Sequence, residues 1–466
     1  MGLIARRERQ VPYWPPEEVR ALQNRRLRLV VEHAFKTVPF YRALGRDGFD
    51  PQTIRTVEDL ARLPMIDGSD LADDPMQFVC DTFRAQGREV FKTSGSTSGL
   101  RKPIFWDHAS LLLRAARGER DRRVIAELSG ESWTAMIARE FLTSELRHFV
   151  ARLAGIDTER HQRLLILPAD FSSRTQRTIY SEKSLIPRRP VHYHHLPPTV
   201  PFKVAVKHVR AIRPRVVLSF GSYVDQFLHY VHANGQNLPM PRLWVYLGDR
   251  ISPGARALAE ELGCRLYSVY GAMEAGTIGF QCEEREGFHL NTDLCAVRVV
   301  GDSGEDLPPG ESGGVVISPL DNRAMILLNY QLGDRATLSE DPCPCGRTLP
   351  LLTQMEGRQS EMIRLGDGRE ITSITIEAMF SALLRRTVQA QLAQDVPGTL
   401  CWRVVPIAGE SRGDLERAMK ERALSVLGSD TRLEVSFVDR IPLTGAGKFL
   451  RAVVGSTDHE GPARDG

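Results

Sequence analysis

Short apolar runs alternate with helical stretches between residues 163 and 271, and this alternation most constrains what the chain can fold into. The apolar runs are RLLIL at 163–167, VVLSF at 216–220, LWVYL at 243–247 and RLYSVYG at 265–271. Helical patterns over 202–212, 222–233 and 253–262 fill the gaps. Apolar strands separated by helices favour a parallel sheet, because crossover helices cover its faces. The pattern therefore predicts an α/β core.

The segments on either side of this core have different patterns. Toward the N-terminus, helices are predicted from Pro16 to about 38 and over 111–128. After Gly287, runs such as HLNTDLCAVRVVG and MILLNYQLGD predict a small β subdomain. Beyond Gly357, a hairpin around Asp-Gly precedes a helix at 374–384, a strand at 401–406, a helix at 413–427 and a strand at 432–438. We therefore predict two domains, residues 1–357 and an α+β domain of residues 358–466.

Charge and cysteine content exclude several classes of protein. The chain has 61 Lys and Arg against 58 Asp and Glu, a net charge of +3 that gives no case for nucleic acid or a membrane surface as a partner. No run approaches the ~18–20 apolar residues that a membrane span needs. The N-terminus has no apolar signal segment, and seven cysteines do not suit a secreted disulfide framework. We expect a cytoplasmic protein whose cysteines are reduced or metal-bound.

The strongest chemical signal is the segment FKTSGSTSGLRKPIFW at 91–106. Seven consecutive small residues precede two cations, Arg101 and Lys102. Small residues leave backbone N–H groups accessible, hydroxyls add donors and cations balance negative charge, as a polyphosphate-binding loop requires. Glycine and serine content alone favours a flexible linker instead. The segments that follow favour the phosphate loop.

This run resembles the glycine-rich phosphate loop, [ST]SG[ST]TGxP, of the acyl-adenylate-forming superfamily. Further segments that resemble the family follow in the required order: YGAME at 270–274, YQLGD at 330–334, EGRQSEMIRLGDGREI from 356 and DRIPLTGAGKFLR at 439–451. The N-terminal LQNRRLRLVVEHAFKTVPFYR and DLARLPMIDGSDL are similar to the phenylacetate–coenzyme A ligase branch. The resemblance runs from about Leu22 to Arg451. It implies a large adenylation domain and a small mobile C-terminal domain.

The resemblance also implies roles for individual residues. Glu274 would approach Mg²⁺ and a phosphate, and the mobile domain would bring the catalytic Lys448 to the site. Asp334 would bind the ribose hydroxyls, and Arg358 would be a second ribose or phosphate contact. The remaining ATP-binding candidates are Thr93, Ser94, Gly95, Ser96, Thr97, Ser98, Gly99, Lys102, Gly248, Asp249, Tyr270 and Gly271. The acyl-pocket candidates are Phe220, Gly221 and Ala272.

Three positions depart from the family pattern. Met273 stands where threonine is usual, which removes one hydroxyl expected near the α-phosphate or the substrate. The extra Ser98 leaves the lysine position of the loop open between Arg101 and Lys102. Ser360 occupies a hinge position where the family often has an acidic residue.

A second constellation consists of Cys282, His289, Cys343 and Cys345. Thiolates and a neutral imidazole are suitable tetrahedral Zn²⁺ ligands, and four protein ligands close a site, so the predicted role is structural. The resemblance adds that some members of the branch bind zinc through a similar arrangement. The alternative is four unrelated residues, with the cysteines packing as small hydrophobes. Cys295 is the substitute ligand if His289 is not used.

Together these features predict an ATP-dependent ligase that activates a carboxylic acid as acyl-AMP and releases pyrophosphate. By resemblance the acid is aromatic and the acceptor is coenzyme A. An amine or the phosphopantetheine thiol of a carrier protein stays open as the acceptor. A protein that binds nucleotide without catalysis is an alternative of another class, although Lys448, Glu274 and Asp334 favour an enzyme. Whether the chain forms a homodimer is left open.

Overall fold

The computed structural model describes residues 2–84, 89–92, 102–130, 162–167, 192–284, 287–358, 361–444 and 448–455. The predicted phosphate loop at 93–99 lies outside these ranges, as do Arg101 and Ser360. Every other candidate residue named above is described.

Eleven described strands form one large mixed sheet. In spatial order they are β10 (Cys295–Val300), β11 (Ser312–Pro319), β12 (Tyr330–Ser339), β13 (Leu351–Arg358), β9 (Phe288–Leu290), β8 (Gly276–Phe280), β7 (Arg265–Ala272), β6 (Leu243–Leu247), β5 (Val216–Phe220), β3 (Gln162–Ile166) and β4 (His192–Leu196). The pairs from β7 to β4 are parallel, and the others are antiparallel. The predicted α/β core is confirmed, and the strands predicted as a β subdomain continue the same sheet. A separate antiparallel pair joins β1 (Glu89–Lys92) to β2 (Pro103–Trp106).

Helices cover the parallel half of the sheet and pack against its antiparallel half. The described helices before residue 358 are α1 (Gly2–Gln10), α2 (Pro16–Thr37), α3 (Pro39–Arg46), α4 (Gly68–Asp73), α5 (Asp81–Arg84), α6 (His108–Arg117), α7 (Glu119–Ser129), α8 (Phe202–Ile212), α9 (Gly221–Ala233) and α10 (Pro253–Glu261). The helix predicted over 111–128 is two helices, which meet at Gly118. In the described ranges, no helix has both the length and the apolarity to cross a membrane.

The C-terminal segment has its own sheet and its own hydrophobic cluster. The hairpin strands β14 (Met362–Arg364) and β15 (Glu370–Thr372) precede α11 (Ser373–Met379) and α12 (Ser381–Leu384). A four-stranded sheet follows in the order β18 (Arg432–Phe437), β17 (Thr399–Pro406), β16 (Thr387–Val396) and β19 (Ala452–Val454), with α13 (Arg412–Leu427) against it. Its cluster includes Phe380, Trp402 and Met419 and draws only on residues after 362.

Candidate active site

A tight turn between β7 and β8 carries the acidic residue of YGAME. Glu274 is buried there, with 8% of its surface exposed, and its Oε1 accepts a hydrogen bond from the Tyr330 hydroxyl at 3.3 Å. The same hydroxyl accepts a hydrogen bond from Lys102 Nζ, also at 3.3 Å. Lys102 immediately precedes β2, at the end of the predicted phosphate loop. Hydrogen bonds among Lys102, Tyr330 and Glu274 therefore connect the end of the predicted loop, the YQLGD segment and the turn.

The predicted ribose-binding residues meet on neighbouring strands. Asp334 on β12 is directly opposite Arg358 on β13, and their Oδ1 and Nε atoms are 3.7 Å apart. Tyr270 donates a hydrogen bond from its hydroxyl to Asp334 Oδ2 at 2.8 Å. Burial and the adjacent Asp334 carboxylate raise the pKa of Tyr270 well above its ordinary value. The phenol therefore remains a hydrogen-bond donor at neutral pH and holds Asp334 from one side.

Lys448 reaches across from the C-terminal segment to the edge of the parallel sheet. Its Nζ donates a hydrogen bond to the Gly248 carbonyl at 2.8 Å and lies 5.2 Å from the centre of the Phe220 ring. Burial lowers the pKa of Lys448, and the negative charge of Asp249 opposes that shift. The structure thus brings together one predicted catalytic residue, one acyl-pocket candidate and two ATP-binding candidates.

The loop after β6 packs closely against the start of α9. Asp249 accepts hydrogen bonds from the backbone N–H of Ser222 at 2.9 Å and from its hydroxyl at 2.5 Å. Burial raises the pKa of Asp249, whereas Lys448 and Ser222 oppose the rise. A Cβ at Gly221 would lie 2.4 Å from the Asp249 carbonyl oxygen, so this approach requires glycine. The acyl-pocket roles of Gly221 and Ala272 stay predictions.

Charged side chains connect the C-terminal segment to the large sheet next to Lys448. The guanidinium of Arg250 donates two hydrogen bonds to the Glu377 carboxylate, at 2.7 and 2.9 Å. Arg451 pairs with Asp225 on α9 and lies 3.5 Å from Glu377. Burial is the largest influence and disfavours the ionised form of Asp225, but Arg451, His229 and the Ser252 N–H together outweigh it and lower the pKa of that carboxyl. We call Asp225, Arg250, Glu377 and Arg451 the interface charge network.

Sequence reasoning missed the interface charge network. Its available signal was Arg451, which lies three residues after Lys448 within the DRIPLTGAGKFLR segment. The other three members are ordinary helix and loop residues in the sequence. Their pairing joins positions more than 120 residues apart, which no local pattern encodes.

The cysteine and histidine constellation is assembled in one place. The ligand atoms of Cys282, His289, Cys343 and Cys345 all lie within 4.8 Å of one another. The sulfurs of Cys282 and Cys343 are 3.6 Å apart, and Cys345 Sγ is 3.3 Å from His289 Nε2. Bonds of ~2.0–2.3 Å around tetrahedral zinc require ligand separations of roughly 3.3–3.8 Å. His289 Nδ1 lies 3.2 Å from the Leu349 carbonyl, a partner that directs Nε2 into the cluster.

Comparison with curated proteins finds similarity over most of the chain. No family model matches it. It is 26% identical over 399 residues to a phenylacetate-coenzyme A ligase of Thermus thermophilus, across 83% of this chain and 80% of that protein. It is 26% identical over 373 residues to a phenylacetate-coenzyme A ligase of Escherichia coli, across 74% of this chain and 72% of that protein.

Comparison with solved structures finds the same fold. A 2-hydroxyisobutyryl-CoA ligase in the postadenylation state, in complex with 2-HIB-AMP, aligns with a TM-score of 0.70 and 18% identity over 96% of this chain and 91% of that one. The same ligase with 2-HIB-AMP and CoA in the thioesterification state aligns with a TM-score of 0.56 over the same shares of the two chains. The arrangement of this chain is more similar to the first of these two states.

Proposed function

We propose that this chain, a relative of the phenylacetate–coenzyme A ligases of the acyl-adenylate-forming superfamily, is an AMP-forming carboxylate–coenzyme A ligase. It would activate a carboxylic acid as acyl-AMP, release pyrophosphate and pass the acyl group to coenzyme A. One observation carries the proposal: Lys448, Asp334 and Glu274 lie on three separate segments around the edge of one sheet, each with the partners described above. Magnesium, an aromatic acid and a cytoplasmic location belong to the same proposal.

In the first half-reaction a substrate carboxylate attacks the α-phosphate of ATP and pyrophosphate leaves. Asp334 would accept hydrogen bonds from the two ribose hydroxyls, held in place by Tyr270 and Arg358. Negative charge grows on the bridging and equatorial oxygens, and the Lys448 ammonium would stabilise it. Glu274 would hold Mg²⁺, which balances phosphate charge when bound. The role of the loop at 93–99 as phosphate binder is part of the proposal and rests on its sequence.

In the second half-reaction the acceptor thiol attacks the acyl-adenylate carbonyl and AMP leaves. We propose that residues 358–466 rotate as a domain between the two steps, which withdraws Lys448 and opens a path for the acceptor. The separate hydrophobic cluster of the C-terminal segment supports this division at residue 357. This chain aligns better with the ligase in its postadenylation state than with the same ligase in its thioesterification state. That difference supports assigning the present domain arrangement to the first step.

The interface charge network would then stabilise the arrangement that forms acyl-AMP. We expect Glu377→Gln to slow acyl-AMP formation roughly tenfold, because the variant weakens pairing with both Arg250 and Arg451. Transfer to coenzyme A from supplied acyl-AMP should be unchanged or faster, and the two half-reactions are measured separately. Glu416→Gln is the matched control, because Glu416 forms an exposed pair with Lys420. Equal losses in both half-reactions would contradict the role of the network.

A structural Zn²⁺ on Cys282, His289, Cys343 and Cys345 is also part of the proposal. The cluster fits zinc because its donors are three thiols and one imidazole, and the Cys282–Cys343 and Cys345–His289 separations are those of tetrahedral zinc ligands. The ion would connect the segment before β9 to the loop between β12 and β13 and so stabilise that end of the sheet. Arg347 in that loop lies over the Tyr13 ring, and Thr348 donates its backbone N–H to the Pro12 carbonyl at 2.9 Å. The ion would thereby also support the N-terminal segment.

Metal analysis of the pure protein should find close to one zinc per chain. Cys343→Ser should abolish stoichiometric zinc and lower the melting temperature, because a closed four-ligand site loses one thiolate. Cys401→Ser should keep the zinc content and the melting temperature of the wild type, since Cys401 lies on β17, away from the cluster. A well-folded preparation without metal would refute the zinc assignment.

The acceptor is tested by supplying acyl-AMP with coenzyme A, a panel of amines or a phosphopantetheine-loaded carrier protein. The proposal predicts a thioester with coenzyme A as the fastest product. A faster reaction with an amine or a carrier protein would contradict the assignment of coenzyme A as the acceptor. It would not affect the proposed activation step.

A further inference from the structure

The turn that carries Glu274 is held from outside the sheet by a tryptophan. Trp106, the last residue of β2, is fully buried, and its indole Nε1–H donates a hydrogen bond to the Met273 carbonyl at 3.1 Å. Within the turn, the Ala275 N–H bonds back to the Ala272 carbonyl at 3.2 Å. The hydrogen bond from Trp106 therefore fixes the peptide unit that joins Met273 to Glu274.

An arginine packs against both the turn and this tryptophan. The Arg114 guanidinium carbon on α6 lies 4.4 Å from the centre of the Trp106 ring, so the cation faces the indole. Gly276, the first residue after the turn, has a φ of +76°, and a Cβ there would lie 2.5 Å from Arg114 Nη2. Glycine at 276 thus lets the guanidinium pack directly against the backbone of the turn. Trp106, Arg114 and Gly276 pack against one another, and we call them the turn support.

The turn support also connects two segments that approach the nucleotide. Trp106 is four residues beyond Lys102, which reaches Glu274 through the Tyr330 hydroxyl. Glu274 is a buried carboxylate, and within the described part of the chain its hydrogen-bond partner is Tyr330. Burying a carboxylate with little hydrogen bonding costs free energy and favours its movement toward water, so contacts that fix the turn are needed to keep Glu274 in place.

We propose that Trp106 and Arg114 are positioning residues that hold Glu274 in place for Mg²⁺ and the phosphates of ATP. This inference rests on the proposed function for the role of Glu274. The two residues would act by fixing the backbone on both sides of that carboxylate, at Met273 and at Gly276. The anchor is the backbone carbonyl of Met273, so it does not depend on the side chain at this position.

Trp106→Phe tests the inference in the full-length enzyme, because phenylalanine keeps a ring beneath Arg114 but cannot donate the hydrogen bond. The KM for Mg·ATP in pyrophosphate exchange should rise roughly three- to tenfold, which corresponds to the loss of one buried hydrogen bond. The KM for the carboxylic acid should change less than twofold. Arg114→Met should act in the same direction. Trp402→Phe is the matched control, because Trp402 is equally buried and its indole N–H has no hydrogen-bond partner among the described residues.

Amide hydrogen exchange supplies a readout that does not depend on activity. Peptides that span 270–278 should exchange faster in Trp106→Phe than in the wild type, whereas Trp402→Phe should leave them unchanged. Unchanged Mg·ATP kinetics and unchanged exchange at 270–278 in folded Trp106→Phe would overturn the inference. If the wild type itself activates no acid, the proposed function fails, and amide exchange at 270–278 alone decides whether Trp106 holds the turn.

Discussion

Replacing Lys448 by alanine is expected to slow acyl-AMP formation roughly 10²- to 10³-fold, the usual loss when one charge-stabilising donor is removed. Lys448 lies beside Gly248, an ATP-binding candidate, and Phe220, an acyl-pocket candidate, which is where the proposal places the reacting groups. ATP affinity should change little, because the proposal assigns ribose binding to other residues. The rate is measured as carboxylate-dependent ATP–pyrophosphate exchange.

Transfer of the acyl group from supplied acyl-AMP to coenzyme A should survive in Lys448→Ala, since the proposed domain rotation would withdraw the lysine in that step. Lys420→Ala is the matched control, because Lys420 is an exposed lysine of the same segment that pairs with Glu416. Near-normal pyrophosphate exchange in Lys448→Ala would contradict the catalytic assignment.

The same lysine should make exchange sensitive to alkaline pH. Burial lowers the pKa of Lys448, so its positive charge is lost at a lower pH than that of an exposed lysine. The stabilising form is the ammonium, which is present below that pKa and is lost as the pH rises through it. Acyl-AMP formation should therefore decline on the alkaline side.

Asp334→Ala is expected to weaken ATP binding roughly 10- to 100-fold, because hydrogen bonds to a charged group contribute ~1.5–3 kcal/mol. The substitution removes the carboxylate that would accept from both ribose hydroxyls, and it also leaves Tyr270 without its partner. Calorimetric titration with ATP measures the effect directly, apart from turnover.

Asp302→Ala provides the control for the change of charge, since the side chain of Asp302 is 95% exposed and 4.0 Å from Arg335. It should bind ATP like the wild type. Equal affinity of Asp334→Ala and wild type for ATP would remove Asp334 from the nucleotide site.

Local patterns predicted those features that depend on neighbours in the chain. Apolar runs and helical periodicity predicted the parallel strands β3, β5, β6 and β7 and the helices between them, because burial on both faces of a parallel sheet leaves a continuous apolar signal. The Asp-Gly pair likewise predicted the hairpin of β14 and β15. The break at Gly118 was not predicted, because a single glycine is tolerated within a helical pattern.

Long-range partners could not be predicted in the same way. The spacing of Cys282, His289, Cys343 and Cys345 suggested a cluster because metal ligands are chemically distinctive, and the structure brings the four together. Trp106 and Met273, or Arg250 and Glu377, have no such chemical signature, and their contacts depend on how distant elements pack. The roles of the nucleotide- and acyl-binding candidates stay predictions, and Asp334→Ala tests one of them.

Carboxylate-dependent ATP–pyrophosphate exchange with a panel of aryl, arylacetic and fatty acids tests the central claim most directly. The proposed function predicts exchange with one chemical group of acids, strongest among the aromatic ones, and a roughly 10²- to 10³-fold loss in Lys448→Ala. Absence of exchange with every acid, in protein shown to bind ATP, would contradict the claim and favour a protein that binds nucleotide without catalysis.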